Sequence, residues 1–249
     1  MAKITYHVEL PQVADPLEQD QEYCYVIQDG VQKKIRFHDY ASVFSIPGLY
    51  EYVFHDLLQC VSPQTVASLL ISAVKDAGED PTTLCVLDLG AGSGLVAEQL
   101  HAAGVLTIVG VDINAAVKMA MERDRPHVYQ RYFVGDIRED AIQRELKGYA
   151  FNGLTCVAAL GFNDIPGSAF VAAYNLIAQG GWIAFNLKSD FLETPQSEFA
   201  SLSRELFEQG ALDVKRRIRY RHRYAVDGRP LYYDAIVGRK VRNLSDSCR

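Results

Sequence analysis

The sequence predicts an α/β fold: a doubly wound, mostly parallel seven-stranded sheet with an antiparallel C-terminal strand and an N-terminal cap of a hairpin and helices. Three observations support it. Apolar runs alternate with helical stretches from residue 82 onward, which is typical of parallel sheets covered by helices on both faces. Asp29-Gly30 and Asp227-Gly228 each lie between β-rich runs and predict two hairpins. The 249 residues also suffice for one sizeable core.

Residues 1–80 are predicted to form the cap, as an integral part of the fold. Residues 23–36 contain two β-rich runs around Asp29-Gly30. The first predicted helix can begin at Pro47 and carries apolar residues at helical spacing, namely Leu49, Tyr50, Val53, Phe54, Leu57 and Leu58. A second helix is predicted after Ser62-Pro63 and ends near Ala77, before Gly78.

Residues 81–249 are predicted to form the core. Five apolar runs alternate with helical stretches, in the order TLCVLDLG, LTIVGVD, YFVGD, FNGLTCVAAL and GWIAFNLK. The last two strands flank Asp227-Gly228 and form the C-terminal hairpin. Ligands of such sheets bind beyond the carboxyl ends of the strands, where the strand order reverses. Asp88, Asp112, Asp136 and the segment after Leu160 should therefore converge on one crevice.

Composition excludes several classes of protein. A formal net charge of −6 argues against a surface built for polyanions, so nucleic acid is not the expected partner. The five cysteines form no CxxC pair and no metal-ligand spacing, which favours a reducing cytoplasm and predicts no metal. No apolar window approaches the roughly 20 residues of a membrane span, and the N-terminus has no signal-like apolar region. Neither a membrane nor secretion is expected.

The stretch CVLDLGAGSGL at residues 85–95 joins an apolar strand to a glycine loop. Such a loop can cradle a phosphate at a helix N-terminus. However, the dinucleotide pattern G-x-G-x-x-G is replaced here by G-x-G-x-G. Asp88 also precedes the first glycine by two residues. A carboxylate at this place would repel a diphosphate and attract a positively charged ligand.

Two further acids end the next two strands. Asp112 follows Gly90 by 22 residues, where a carboxylate can accept both hydroxyls of a ribose. The two acids therefore favour a ligand with a positive group near the first strand and a ribose near the second. S-adenosylmethionine has both groups and contains no phosphate. Asp136, after the third strand, is placed to meet the adenine amino group. Taken singly, Asp88 could instead cap the following turn, and Asp112 the following helix.

The segments VLDLGAGSG, GVDI and VGDI, in this order within residues 82–190, resemble the class I S-adenosylmethionine-dependent methyltransferases. The resemblance implies that the methionine moiety lies over Gly90-Ala91-Gly92, with Asp88 near its amino group. It also implies that Asp112 takes the ribose, Ile113 packs on the adenine, and S-adenosylhomocysteine is the product. The remaining expected cofactor contacts are Gly94, Asp136, Ile137 and Leu160.

Candidate catalytic residues come from two segments. Tyr40 and His38 lie where the cap of this family meets the cofactor, and His38 could act as a general base if it reaches the acceptor's proton. Asn163 and Asp164 could face the transferred methyl, but the segment from Asn163 to Pro166 equally reads as a turn that begins a helix, and we favour the turn. Tyr50 and His55 are expected to be half-buried core residues.

The tract VKRRIRYRHRY at residues 214–224 is strongly basic. Alternation along a strand predicts one solvated row formed by Lys215, Arg217, Arg219, Arg221 and Arg223. Such a row could also bind an anionic acceptor or RNA. We expect a methyltransferase that acts on a small-molecule acceptor. The alternatives are an RNA or protein methyltransferase, and a non-catalytic member that binds the cofactor or a partner protein.

Overall fold

The N-terminal cap begins with a small antiparallel sheet. The structure, a computed structural model, describes residues 6–161, 164–189 and 200–245. The sheet consists of β1 (His7–Glu9), β2 (Tyr23–Gln28) and β3 (Val31–Arg36). The hairpin predicted between β2 and β3 is confirmed, and its turn residues Asp29 and Gly30 have φ angles of 51° and 77°. The short strand β1 was not predicted.

Three helices complete the cap. Helix α1 (Tyr40–Ser45), which was not predicted, begins where the Asp39 side chain accepts a hydrogen bond from the Ser42 N–H. Helix α2 (Leu49–Glu51) continues as a π-helical turn, Tyr52–Leu57. It begins two residues after Pro47 because Gly48, at φ 74°, precedes it in the left-handed region. Helix α3 (Ser62–Asp76) matches its prediction.

The main sheet confirms the predicted fold class. Its strands are β4 (Cys85–Leu89), β5 (Thr107–Asp112), β6 (Arg131–Val134), β7 (Gly153–Cys156), β8 (Trp182–Lys188), β9 (Leu212–Tyr224) and β10 (Pro230–Lys240). Their order is β6-β5-β4-β7-β8-β10-β9. The strands from β6 to β8 are parallel, and β10 runs antiparallel between β8 and β9. The strand order reverses at β4, which places the expected crevice beside the glycine loop.

Helices cover both faces of this sheet. On one face, α3 and α4 (Leu95–Ala102) bury Leu70 and Leu100 against the strands. On the other, α6 (Asp140–Leu146), α7 (Gly167–Asn175) and α8 (Ala200–Ser203) pack in a second core, and α8 continues as the π-helical turn Arg204–Glu208. Helix α5 (Ala115–Asp124) meets the cap, where Val117 packs against Phe44.

Among these described helices, no single one is long and apolar enough to cross a membrane. One pair bent by 77°, Leu49–Leu57 with Ser62–Asp76, meets the criteria of length and composition when taken together. Much of its apolar surface is buried against the rest of the protein, for example at Leu49, Val66 and Leu70.

The prediction of a solvated row of basic side chains on β9 is wrong for Arg223, which is buried. The pairing between β9 and β10 shifts its register after Leu231, so that Arg223 faces Leu231, Arg221 faces Tyr232, and His222 is an extra residue. A bulge of this kind interrupts the alternation of side chains. As a result both His222 and Arg223 are buried, whereas Arg217 and Arg219 are exposed as predicted.

A buried ion pair joins the cap to the sheet. Arg223 Nη2 lies 2.5 Å from Glu22 Oε2, and the two side chains are 3% and 0% exposed. The other carboxylate oxygen of Glu22 accepts the N–H of Val226 at 2.7 Å. The guanidinium also lies beside the rings of Phe37 and Phe54, 5.7 and 5.8 Å from their centroids. Charges this deeply buried are tolerated only when they are paired and hydrogen-bonded.

Glu22→Gln should therefore lower the free energy of unfolding by about 3–5 kcal/mol, because it leaves the Arg223 charge buried without a counter-ion. Urea unfolding followed by circular dichroism measures the change. The matched control is Asp213→Asn, which removes an exposed ion pair with Lys215 and should cost less than about 1 kcal/mol. Similar small losses in both variants would show that the buried pair does not hold the cap in place.

Candidate active site

A cavity of about 330 Å³ lies beyond the carboxyl ends of the parallel strands. We call it the cofactor cavity. The glycine loop, the ends of β5 and β6, the segment after β7 and the cap each contribute to its wall. The predicted site residues that line it are Tyr40, Gly90, Gly92, Asp112, Ile113, Asp136 and Ile137. Two of the acids that were predicted to converge, Asp112 and Asp136, thus line the same cavity.

The backbone N–H groups of the glycine loop donate to acceptors within the protein. Those of Gly90 and Ala91 both donate to the Val111 carbonyl, at 2.9 and 3.1 Å. The Gly92 N–H donates to Asp112 Oδ2 at 3.0 Å, and that of Gly94 donates to the Ala91 carbonyl at 3.2 Å. A phosphate-binding loop offers such groups to its ligand. Here the first three fasten the loop to β5, and the fourth closes a turn within the loop.

Position 90 requires glycine because Ile165 and Ala159 lie close to its backbone. Its φ is 68°, and a Cβ atom there would lie 2.7 Å from Ile165 Cδ1 and 2.8 Å from Ala159 Cβ. Any larger residue would push the loop away from the segment that follows β7. The glycine therefore keeps the two walls of the cofactor cavity in contact.

Asp112 does not cap the following helix. That role belongs to Asn114, whose Oδ1 accepts the Ala116 N–H at 2.9 Å. The Asp112 carboxylate accepts the Asn114 N–H at 2.9 Å in addition to that of Gly92. Burial raises the pKa of this carboxyl above its ordinary value, against the effect of the donated N–H groups. The structure thus rejects the simpler capping interpretation.

Asp88 lies behind the loop and is only 1% exposed. It accepts hydrogen bonds from the hydroxyls of Thr155, at 2.6 Å, and Tyr129, at 2.7 Å. It does not cap the glycine turn, and it is not among the described residues that line the cavity. Burial raises the pKa of Asp88 to about 6, although both hydroxyls lower it. Its contact with a ligand's amino group stays a prediction.

Asp136 lines the cavity but has a partner on its own loop. Arg138 Nε lies 2.9 Å from Asp136 Oδ1, and Nη2 lies 2.5 Å from Oδ2. The Arg138 side chain lowers the pKa of the Asp136 carboxyl. Sequence reasoning missed Arg138, which also lines the cavity. A contact between Asp136 and adenine stays a prediction.

The other predicted residues lie elsewhere. Ala91 and Gly94 are not among the described residues that line the cavity. Leu160 and His38 line a smaller pocket next to it, which we call the side pocket. Asn163 falls outside the described residues, so its proposed role stays a prediction.

Asp164 brings the two candidate catalytic residues of the cap together. His38 Nδ1 lies 3.0 Å from Asp164 Oδ2, and the Tyr40 hydroxyl donates to the same oxygen at 3.2 Å. Burial, together with the Asp164 charge, raises the pKa of Tyr40 well above its ordinary value, so its hydroxyl stays protonated. The sequence left open whether Asp164 faces the methyl group or forms a turn, and the turn was favoured. An acid after a strand end, as at Asp88, Asp112 and Asp136, is the signal that supports the first interpretation.

Cap aromatics were also missed as wall residues. The rings of Phe44 and Tyr50 stack with their centroids 4.6 Å apart, and the centroids of the Tyr50 and Phe54 rings are also 4.6 Å apart. Tyr50 is half-buried, as expected, but it also lines both cavities. We call these three residues the aromatic wall. It runs from the cofactor cavity, at Phe44, to the side pocket, at Phe54.

Asp88→Asn should change the pH dependence of stability. The pKa of Asp88 is raised in the folded state, so this group favours folding below about pH 4 and disfavours it, by about 3 kcal/mol, above pH 6. The uncharged variant should therefore melt above the wild type at pH 7.5, with a gap that shrinks towards pH 5. Scanning calorimetry at several pH values measures it. The exposed Asp15→Asn serves as the control, and a gap that does not change with pH would contradict the prediction.

Comparison with known proteins agrees with this geometry. A methyltransferase-domain model matches residues 87–185. An S-adenosylmethionine-dependent methyltransferase from Anabaena variabilis ATCC 29413 is 11% identical, with a TM-score of 0.53 over 83% of this chain and 96% of that one. A candidate RNA methyltransferase from Pyrococcus horikoshii is 14% identical, with a TM-score of 0.52 over 74% and 87% of the two chains.

A methyltransferase from Clostridium acetobutylicum ATCC 824 has the same fold, at 13% identity and a TM-score of 0.51 over 78% of this chain and 97% of that one. No curated protein matches the sequence. Residues 87–185 thus match a methyltransferase domain, and the sheet topology and the cavity at its switch point are those of the class I methyltransferase fold.

Proposed function

We propose that the protein transfers the methyl group of S-adenosylmethionine to a small-molecule acceptor. The observation that carries this proposal is the position of the cap. Tyr40, Phe44 and Tyr50 line the same cavity as Gly90 and Asp112. An acceptor must therefore fit between the cap and the sheet. That space favours a small compound over a folded RNA or protein.

The residues of the cavity suit the cofactor. Asp112 is positioned at the end of β5 to accept ribose hydroxyls. Ile113 lines the cavity although 72% of its surface is exposed, and an adenine ring that covered it would remove apolar surface from water. Ile137 and Asp136 border the same region. We assign the ribose to Asp112 and the adenine to the isoleucines.

The charge of the site also favours a cation. Burial raises the pKa of both Asp88 and Asp112, and the charge of Asp112 adds to the shift at Asp88. A positive ligand nearby favours the charged form of such carboxylates. A diphosphate would add to the repulsion. The ammonium and sulfonium groups of S-adenosylmethionine would reduce it.

Bound S-adenosylmethionine supplies a methyl group already activated by its sulfonium, so the protein's main task is alignment. His38 is our candidate for the group that receives the acceptor's proton. An Nδ1–H that donates to Asp164 orients the imidazole and places the basic lone pair on Nε2. The Tyr40 hydroxyl, which donates to the same carboxylate, supports this arrangement.

The charges of β9 count against an RNA acceptor. Arg216 pairs with Asp76, Arg217 with Asp234, and Lys215 with Asp213. The Arg219 guanidinium lies over the ring of Tyr232, 5.3 Å from its centroid. Contacts with phosphates would have to compete with these internal partners.

Methyl transfer from radiolabelled S-adenosylmethionine to the fractions of a cell extract tests the proposal. We expect label in the small-molecule fraction and a turnover at least about 100-fold lower for His38→Asn, because a positioned base typically contributes that much. Binding of S-adenosylhomocysteine should not change.

The control is His101→Asn, on the exposed end of α4, which should behave like the wild type. Label found in RNA instead, and lost in an Arg217→Ala, Arg219→Ala double variant, would contradict a small-molecule acceptor.

A further inference from the structure

The side pocket extends the cofactor cavity towards the C-terminal hairpin. The two spaces share Tyr40, Tyr50, Ala158 and Asp164 as lining residues. A molecule placed beside Asp164 can therefore reach into the side pocket. That pocket measures about 30 Å³, which is room for one water-sized group such as a hydroxyl or an amino group. It is too small for a ring.

The far end of the side pocket contains an unsatisfied polar group. Gln19 is 7% exposed, and its Nε2 donates to the Tyr233 hydroxyl at 2.7 Å. Within the described parts of the chain, Gln19 Oε1 has no hydrogen-bond partner. Rotating the amide would only exchange which of its two polar atoms is unpaired. A buried polar atom left in this state costs about 1–3 kcal/mol, so a group that enters the pocket gains by bonding to it.

The side pocket is poorly suited to an anion. Among the described lining residues, the Arg223 charge is paired with Glu22, and the Asp164 carboxylate accepts hydrogen bonds from His38 and Tyr40. Burial lowers the pKa of His222 well below its ordinary value, so this residue is neutral. An anionic substituent would meet no uncompensated positive charge. The pocket is therefore suited to a neutral group.

The aromatic wall indicates the shape of the rest of the molecule. Phe44, Tyr50 and Phe54 line the path between the two spaces in succession. Their rings pack on one another, so that Tyr50 lies between Phe44 and Phe54 and the ring edges are left for a ligand. Edge-to-face contacts with such edges favour a flat aromatic partner. A flat ring on the wall could place one small substituent in the side pocket.

We propose that the methyl acceptor is a neutral, flat-ring compound with a small O–H or N–H substituent, and that this substituent fills the side pocket and donates to Gln19 Oε1. Gln19 is then a specificity-determining residue. This inference rests on the proposed small-molecule function. It adds the class of acceptor and the residue that selects it.

The test uses the full chain saturated with S-adenosylhomocysteine. The probes are phenol, catechol and 2-aminophenol, which carry a donor, methoxybenzene, which does not, and salicylate, which is charged. Ligand-observed NMR titration gives their affinities, and product formation with S-adenosylmethionine gives their turnover. We expect the donor-bearing neutral rings to bind at least about 10-fold more tightly than methoxybenzene, because a site built around a hydrogen bond rejects analogues that lack it.

Gln19→Leu should abolish this preference without changing the affinity for methoxybenzene or for S-adenosylhomocysteine. Gln32→Leu, at an exposed position of the cap, is the matched control and should keep the preference. Tyr233→Phe, which removes the hydroxyl that holds the Gln19 amide, should weaken it. Unchanged binding of S-adenosylhomocysteine shows that each variant is folded.

Three results would overturn the inference: no binding of the donor-bearing rings, a preference for salicylate, or a preference that persists in Gln19→Leu. The last would mean that the side pocket holds only a buried water. These failures are distinct from failure of the proposed function, which would appear as label in RNA or protein in the fractionation experiment.

Discussion

The hydrogen bond from the Gly92 N–H to the Asp112 carboxylate, 3.0 Å long, determines what kind of site this fold presents. It ties the glycine loop to the end of β5 and places a carboxylate where a dinucleotide-binding loop would offer bare N–H groups. The N–H groups of Gly90 and Ala91 are also used, by the Val111 carbonyl. The wall of the cofactor cavity is therefore electronegative, and a cationic adenosyl ligand suits it better than a diphosphate.

The cap converts this wall into an enclosed site. The Glu22–Arg223 ion pair fixes it to the C-terminal hairpin, and the aromatic wall then lies over the path from the cofactor cavity to the side pocket. The bulge at His222 makes this ion pair possible, because it turns Arg223 inward. An irregularity in an edge strand thus contributes His222 and Arg223 to the lining of the side pocket.

Local patterns predicted the fold well. Apolar runs and Asp-Gly turns indicated the succession of strands along the chain, and acids at strand ends identified Asp112 and Asp136 as residues of the crevice. What the sequence could not show depends on contacts between distant residues. Tyr129 and Thr155 enclose Asp88 from 41 and 67 residues away, and Asp164 meets His38 across 126 residues. Alternation likewise failed at Arg223, because a bulge cannot be read from the spacing of side chains.

Isothermal titration of the wild-type protein and Asp112→Ala with S-adenosylmethionine, S-adenosylhomocysteine and NADH tests the central claim most directly. The account predicts binding of both adenosyl ligands, no binding of NADH, and a loss of about 1 kcal/mol or more in the variant, as expected for a hydrogen bond to a charged group. The exposed Asp213→Asn should bind as the wild type does. Binding of NADH in preference to the adenosyl ligands, or full adenosyl affinity without Asp112, would contradict the account.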